Sequence, residues 1–259
     1  MRERLIGFLG NESRFGRAMT RCGIVISANV LFVLFSLPFV TAGAAYAALW
    51  HVMLKTLRGD GSVNPFRQFW AGFRSNFKQA TLVWIAALAL AAVGWMDLRF
   101  CAYAGGVFTL FRYALYALGT VLLILLLYLF PTMAAFADTI PRLIRNSIFF
   151  ALKKPLKLLA LLLLHLIPAI LTYADLLLAP LFAFIWCFFG FGTIVMLGAR
   201  LLLPEFKPYL PLVDECGDFI LDESGVPLRA GVPALSGGNA APEKSEEEIL
   251  REMERLDAP

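Results

Sequence analysis

Between Ile24 and Leu203 this chain repeatedly offers apolar runs long enough to cross a lipid bilayer, and it sets clusters of Lys and Arg between them. A crossing helix needs roughly 17 to 25 apolar residues, so the runs read as membrane helices. Composition agrees: with 59% hydrophobic and 16% charged residues, the chain has more apolar surface than an interior of its size can hide from water. The net charge of +4 comes from segments flanking the runs. It fits an anionic membrane surface, not nucleic acid, for which no motif is present. The cysteines Cys22, Cys101, Cys187 and Cys216 show no CxxC or Cys/His spacing, so neither a disulfide framework nor a zinc site follows. No cofactor is expected.

Six spans account for the pattern. Ile24 to Val40 follows a basic stretch with Arg14, Arg17 and Arg21, and ends near Pro38 and a turn at Thr41, Ala42 and Gly43. A signal peptide imitates this layout, but the basic region is too long for one. Ala44 to Leu57 is short before Lys55 and Arg58 count against it, and reads as a tilted span or a re-entrant helix, with a span preferred. Pro65 to Lys78 repeats Phe66, Phe69, Trp70, Phe73 and Phe77 at helical spacing among Arg67, Arg74 and Lys78, as in a helix lying in the interface. Ala80 to Met96 is the third span, rich in Ala and suited to close helix approach. Val107 to Ala137 is the fourth, with Pro131 predicting a kink or an early stop. Asp138 to Lys157 is a second basic amphipathic segment. Leu158 to Ala174 and Leu176 to Leu203 complete the set, with Pro168 and Pro180 bending or breaking them.

With these spans, 21 of the 23 Lys and Arg residues fall on one side, only Arg99 and Arg112 lying opposite. Basic flanks face the cytoplasm, so both termini are expected there. The expected fold is all-α: a polytopic helical bundle over residues 1–203, with amphipathic cytoplasmic helices, then an acidic cytoplasmic tail over 204–259. That tail holds Asp214, Glu215, Asp218, Asp222 and Glu223. A short hairpin through Phe219, Ile220 and Leu221, a flexible Ala230 to Pro242 stretch, and an amphipathic helix from Ser245 to Leu256 are read there.

Three segments carry a family resemblance: NVLFVLFSLPFVTAGAA over Asn29 to Ala45, ALWHVMLK over Ala48 to Lys55, and NFKQAT over Asn76 to Thr81. In their order and spacing the chain resembles the YesL-like family of bacterial integral membrane proteins, whose domain has no assigned function. The resemblance implies an accessory role near sugar transporters, since such proteins are often encoded beside carbohydrate uptake and polysaccharide degradation systems. It brings no catalytic residues. The acidic tail after Pro204 and the loop Gly59 to Asn64 depart from the family pattern.

Polar residues at membrane depth are the candidate site positions, because each must find a partner there. Asn29 reads either as a hydrogen-bonding post in a substrate path, with Ser36, Thr41 and His51, or as an interhelical link that fixes packing; the second use is the commoner. His165 reads as a relay group or as a neutral, satisfied core residue, and relay work needs a second titrating group. Arg112 fits snorkelling to the outer interface. No HExxH, GxSxG or paired-His metal spacing is present, so no enzyme is expected. The leading expectation is an accessory or permease-like component linked to carbohydrate uptake, with the bilayer, a carbohydrate transporter complex and a second copy of the chain as partners. The alternative is a membrane scaffold or regulator that recruits cytoplasmic partners through its basic loops and acidic tail.

Overall fold

The computed structural model describes residues 14–59, 63–136, 138–174 and 178–210. The acidic tail's hairpin and terminal helix, the basic segment before Arg14 and the turn at Asp175 lie outside them. Among the described residues every regular element is helical: α1 (Arg14–Ser36), α2 (Ala42–Arg58), α3 (Pro65–Ala104), α4 (Phe108–Ala135), α5 (Ile140–Lys153), α6 (Pro155–Ala174), α7 (Ala179–Ile185), a π turn (Trp186–Gly190), α8 (Phe191–Phe206) and a 3-10 turn (Lys207–Tyr209). The chain is a helical membrane bundle. Five stretches are long and apolar enough to cross a bilayer: Ala18–Ser36, Pro65–Ala104, Phe108–Ala135, Pro155–Thr172 and Ala179–Tyr209.

The second expected span, α2, is not among those five; it is the bundle's centre. Ala44, Ala45, Ala47, Ala48, Leu49, Trp50, Val52 and Met53 are all fully buried, on every side of the helix, because α1, α3, α4 and α8 pack around it. Its length, about 26 Å at 1.5 Å per residue, falls a little short of a hydrocarbon layer of about 30 Å. Small residues make the sheath tight. A Cβ on Gly43 would collide with the Trp84 side chain and come within 2.8 Å of the Ala80 carbonyl, and one on Gly72 would lie 2.9 Å from His51 Cβ. These two contacts also fix direction: α2 runs antiparallel to the first half of α3.

The sequence predicts an interfacial helix over Pro65 to Lys78 separate from the third span, whereas the structure joins them into one helix, Pro65–Ala104. No proline or glycine stands near the junction to break it, and at about 60 Å it is twice the hydrocarbon thickness. Asn64 caps its start, its Oδ1 accepting from the N–H groups of Phe66 (3.1 Å) and Arg67 (3.2 Å), with Pro65 in the first turn. Gly105 and Gly106, with φ of 65° and 55°, make the turn into α4, a conformation that favours glycine. The separate amphipathic helix is α5.

The connection after α1 is held by side chains. Thr41 Oγ1 donates to the Phe35 carbonyl (2.6 Å), and Trp84 Nε1 donates to the Phe39 carbonyl (2.9 Å). Phe39 has a φ of 50°. Phe35 packs on Phe69, Trp70 and Phe73 near the start of α3, so α1 meets the α2–α3 pair obliquely rather than as a parallel hairpin arm.

α1 stops at Ser36, just ahead of Pro38 as expected, whereas three other prolines do not end their helices. Pro131, Pro168 and Pro204 all lie inside helices. The helix expected to end at Leu203 therefore runs on to Phe206. Next to Pro131, Thr132 Oγ1 donates to the Leu129 carbonyl (2.8 Å) and lies 2.7 Å from Ser147 Oγ, tying α4 to α5 where the proline removes a backbone donor. One end of the bundle gathers the basic residues: Phe136 packs on Phe150 and Phe206, and Lys153 donates to Tyr209 Oη at 3.5 Å. Lys55 and Arg58, at the end of α2, point to this same end, as the contact of His51 with the Ala134 carbonyl shows.

Candidate functional site

The buried polar groups cluster around α2, where helices approach closely enough for side chains to reach backbone. Asn29 of α1 is fully buried. Its Nδ2 donates to the carbonyls of Trp186 (3.0 Å) and Cys187 (2.7 Å), and its Oδ1 accepts from the Gly192 N–H (2.7 Å). A π turn shifts the helical ladder by one residue, and the amide supplies partners at that shift. Gly192 makes room, since a Cβ there would meet the Val25 carbonyl at 2.9 Å. Asn29 thus fastens α1 to the π turn and the start of α8. Its three bonds all go to backbone.

From α2 itself, Tyr46 Oη lies 2.9 Å from His165 Nε2, and His165 Nδ1 lies 2.8 Å from the Leu161 carbonyl. A carbonyl only accepts, so Nδ1 carries the proton, and in a neutral imidazole Nε2 then accepts from the phenol. Trp50 stands T-shaped to Tyr46 and against Gly198, where a Cβ would come within 2.7 Å of the indole. The Trp50 indole N–H has no acceptor in hydrogen-bond geometry, the Tyr46 hydroxyl being its neighbour.

His51 is five residues beyond Tyr46, hence roughly 140° round the helix. Its Nδ1 faces the Ala134 carbonyl at 3.3 Å and its ring packs on Gly72. The two histidines therefore serve different helix contacts and do not meet. Arg112 is partly exposed near the start of α4, at the opposite end of that helix from Ala134. The structure brings Asn29, His51 and His165 onto the surroundings of one helix and leaves Arg112 apart.

One polar contact escapes the sequence reading. Lys157 Nζ lies 3.1 Å from Glu205 Oε1 and donates to the Leu201 carbonyl at 2.9 Å. The Glu205 side chain is 1% exposed. Neither carboxylate oxygen is aligned for a hydrogen bond, so the pair is a close ionic contact rather than a directed bond. Tyr128 Oη, also buried and without a hydrogen-bond partner, lies within electrostatic reach of Glu205. The signal available was spacing: Val195, Ala199, Leu202 and Phe206, all buried, continue one helical stripe past Pro204 and carry Glu205 inward with it.

This geometry links and neutralises; among the described residues no three His, Cys, Asp or Glu side chains come together as a metal-binding group. Residues 25–98 match the family described as "Protein of unknown function, DUF624". The DUF624 match contains all three segments of the YesL-like resemblance and covers the second half of α1, all of α2 and most of α3. An "Uncharacterized protein YteU" of Bacillus subtilis (strain 168) is 25% identical over 130 residues, 50% of this chain and 59% of that protein. The chain thus spans less than two thirds of that relative. No solved structure matches.

The DUF624 segment includes Asn29, Tyr46, Trp50 and His51 together with Gly43 and Gly72. Their partners Trp186, Gly192 and His165, and the Lys157–Glu205 pair, lie outside it. What the matched segment supplies is the central helix and parts of two of the four helices that cover it.

Proposed function

We propose that the protein is a non-enzymatic integral membrane subunit, an accessory component of a carbohydrate uptake system rather than the pore itself. It sits in the bacterial cytoplasmic membrane with its basic end and both termini in the cytoplasm. The observation that carries this reading is the sealed centre: the place where a transport path would run is filled by α2, whose residues from Ala44 to Met53 are buried apart from Tyr46 and His51. The neighbouring polar groups Asn29 and His165 are bonded to backbone or phenol. An accessory subunit needs a face for a partner, and Ala86, Ala89, Ala91 and Ala92 of α3 are exposed, small residues against which a partner's span can approach closely. The link to carbohydrate comes from the family resemblance.

The test is a deletion strain grown on a panel of oligosaccharides, with uptake of each measured directly. Reduced uptake of at least one, restored by the gene in trans, is expected. Unchanged uptake and growth across the panel sinks the reading.

A scaffold function is favoured by a separate observation: among 19 acidic residues, 12 lie in residues 211–259, beyond a bundle with Lys55, Arg58 and Lys153 at one end. In that case removing residues 211–259, which leaves the packed Glu205, Phe206 and Leu210 in place, abolishes co-purification of cytoplasmic partners while insertion persists. Retention of every partner after truncation removes this alternative.

A further inference from the structure

Lysines crowd the corner where α5 ends and α6 begins. Lys153 closes α5, Lys154 joins the two helices and Pro155 opens α6. Two contacts clamp this corner against the end of α8: Lys153 Nζ donates to Tyr209 Oη at 3.5 Å, and Lys157 Nζ donates to the Leu201 carbonyl at 2.9 Å. Lys207 lies between Leu201 and Tyr209 in the chain, so it belongs to the same corner. Lys153, Lys154 and Lys207 are exposed.

No exposed carboxylate among the described residues of these helices cancels that charge. From Thr139 to Leu210 the described residues hold one acidic side chain, Glu205, which is 1% exposed and in contact with Lys157. Lys153 Nζ stands over the rings of Phe149 (5.6 Å) and Tyr209 (5.4 Å), which fixes the place of its ammonium. The first turn of α6 adds the positive end of a 20-residue helix.

The same corner is also apolar. Leu152 and Leu156, on either side of the Lys153–Lys154 pair, are 75% and 82% exposed. From there α6 goes on as a stretch long and apolar enough to cross a bilayer, Pro155–Thr172. The lysines therefore stand where a crossing helix leaves the hydrocarbon, at the level of lipid phosphates. A soluble anion would leave Leu152 and Leu156 in water. A phospholipid offers its phosphate to the ammonium groups and its acyl chains to the leucines.

We propose that Lys153, Lys154 and Lys207 form a headgroup site for an anionic phospholipid, whose acyl chains lie along Leu152 and Leu156. The bound lipid pins the α5–α6 corner, and through it the end of α8, to the anionic leaflet. The site stands or falls independently of any role in uptake.

The test uses the full chain purified in detergent and titrated with dioctanoyl-phosphatidylglycerol or dioctanoyl-phosphatidylcholine, bound lipid being counted by native mass spectrometry. Preferential binding of phosphatidylglycerol is expected. Lys154→Gln with Lys207→Gln is expected to weaken it about thirtyfold, the loss of two Lys contacts to an anionic headgroup. Lys154→Arg with Lys207→Arg is expected to retain it, which separates lost charge from lost folding. Removing two exposed cations elsewhere, Arg67→Gln with Arg74→Gln, is expected to change it by no more than about twofold. Equal losses from the two Gln pairs overturn the proposal, because they assign the binding to net charge. So does an absent preference for phosphatidylglycerol, or inorganic phosphate bound as tightly as the lipid, which assigns the lysines to a soluble anion.

Discussion

Asn29→Ala tests most directly what the buried polar groups do. It deletes two donations to the carbonyls of Trp186 and Cys187 and the acceptor for the Gly192 N–H. Hydrogen bonds between membrane helices average about 0.6 kcal/mol and reach about 1.7, so three lost bonds amount to about 2 kcal/mol. The Gly192 N–H is buried, and an orphaned buried donor costs about 1–3 kcal/mol. The expected destabilisation is therefore about 2–4 kcal/mol, a shift of roughly 30-fold to several-hundred-fold in the unfolding equilibrium. Asn29→Asp keeps an acceptor for Gly192 but turns a carboxylate oxygen toward two carbonyls, so it is expected to be worse than Ala.

Reversible unfolding in mixed micelles, followed by helical circular dichroism and tryptophan fluorescence, measures both variants. If Asn29→Ala stays within about 0.5 kcal/mol of the wild type, or Asp is no worse than Ala, the three bonds do not hold α1 to the π turn.

Three further outcomes follow from the same packing. Gly198→Ala is expected to lose about 1–3 kcal/mol, since its Cβ would meet Trp50 at 2.7 Å and Leu161 at 3.1 Å. Gly94→Ala, with nothing within 4 Å, is expected to be neutral or to gain up to about 1 kcal/mol; equal effects in thermal melts refute the packing account. Lys157→Ala is expected to cost about 3–5 kcal/mol by leaving the buried Glu205 carboxylate uncompensated, and Lys157→Met with Glu205→Leu to recover most of it. A double variant no more stable than Lys157→Ala in the same melts rules that out. For Tyr46→Phe and His165→Phe, a double-mutant cycle is expected to give a coupling of about 0.6–1.7 kcal/mol, and additivity refutes a direct Tyr46–His165 bond.

Much of the architecture was legible because run length is a local property. α4 and α6 lie close to where the apolar runs put them, and α5 where its basic amphipathic spacing did. The joining of Pro65–Lys78 to the third span was also local, since nothing between Lys78 and Ala80 interrupts a helix, but the change from basic to apolar composition there reads as a boundary. Asn29 was found as a buried polar residue at membrane depth. Its partners were not, because they are backbone groups of a π turn, and a backbone carbonyl carries no sequence signature. The same holds for His165, whose phenol partner is 119 residues away, and for Glu205, which Pro204 assigned to the tail. Proline removes one donor from a helix, and the packed stripe around it decides whether the helix goes on.

The position of α2 is the clearest case of structure set by neighbours. By hydropathy and length it is the weakest of the expected spans, yet it is the only described helix buried around its whole circumference. Its Ala residues at 44, 45, 47 and 48 explain this, since they let the surrounding helices approach from every direction without leaving gaps. A helix sheathed in protein does not need an apolar surface as long as the hydrocarbon layer is thick, because lipid never touches it. Its charged end at Lys55 and Arg58 needs only to reach the basic end of the bundle, which the antiparallel pairing with α3 ensures. Crossing by such a helix is therefore a matter of what surrounds it, and the one-sided distribution of Lys and Arg requires the crossing, since a re-entrant α2 inverts every later loop.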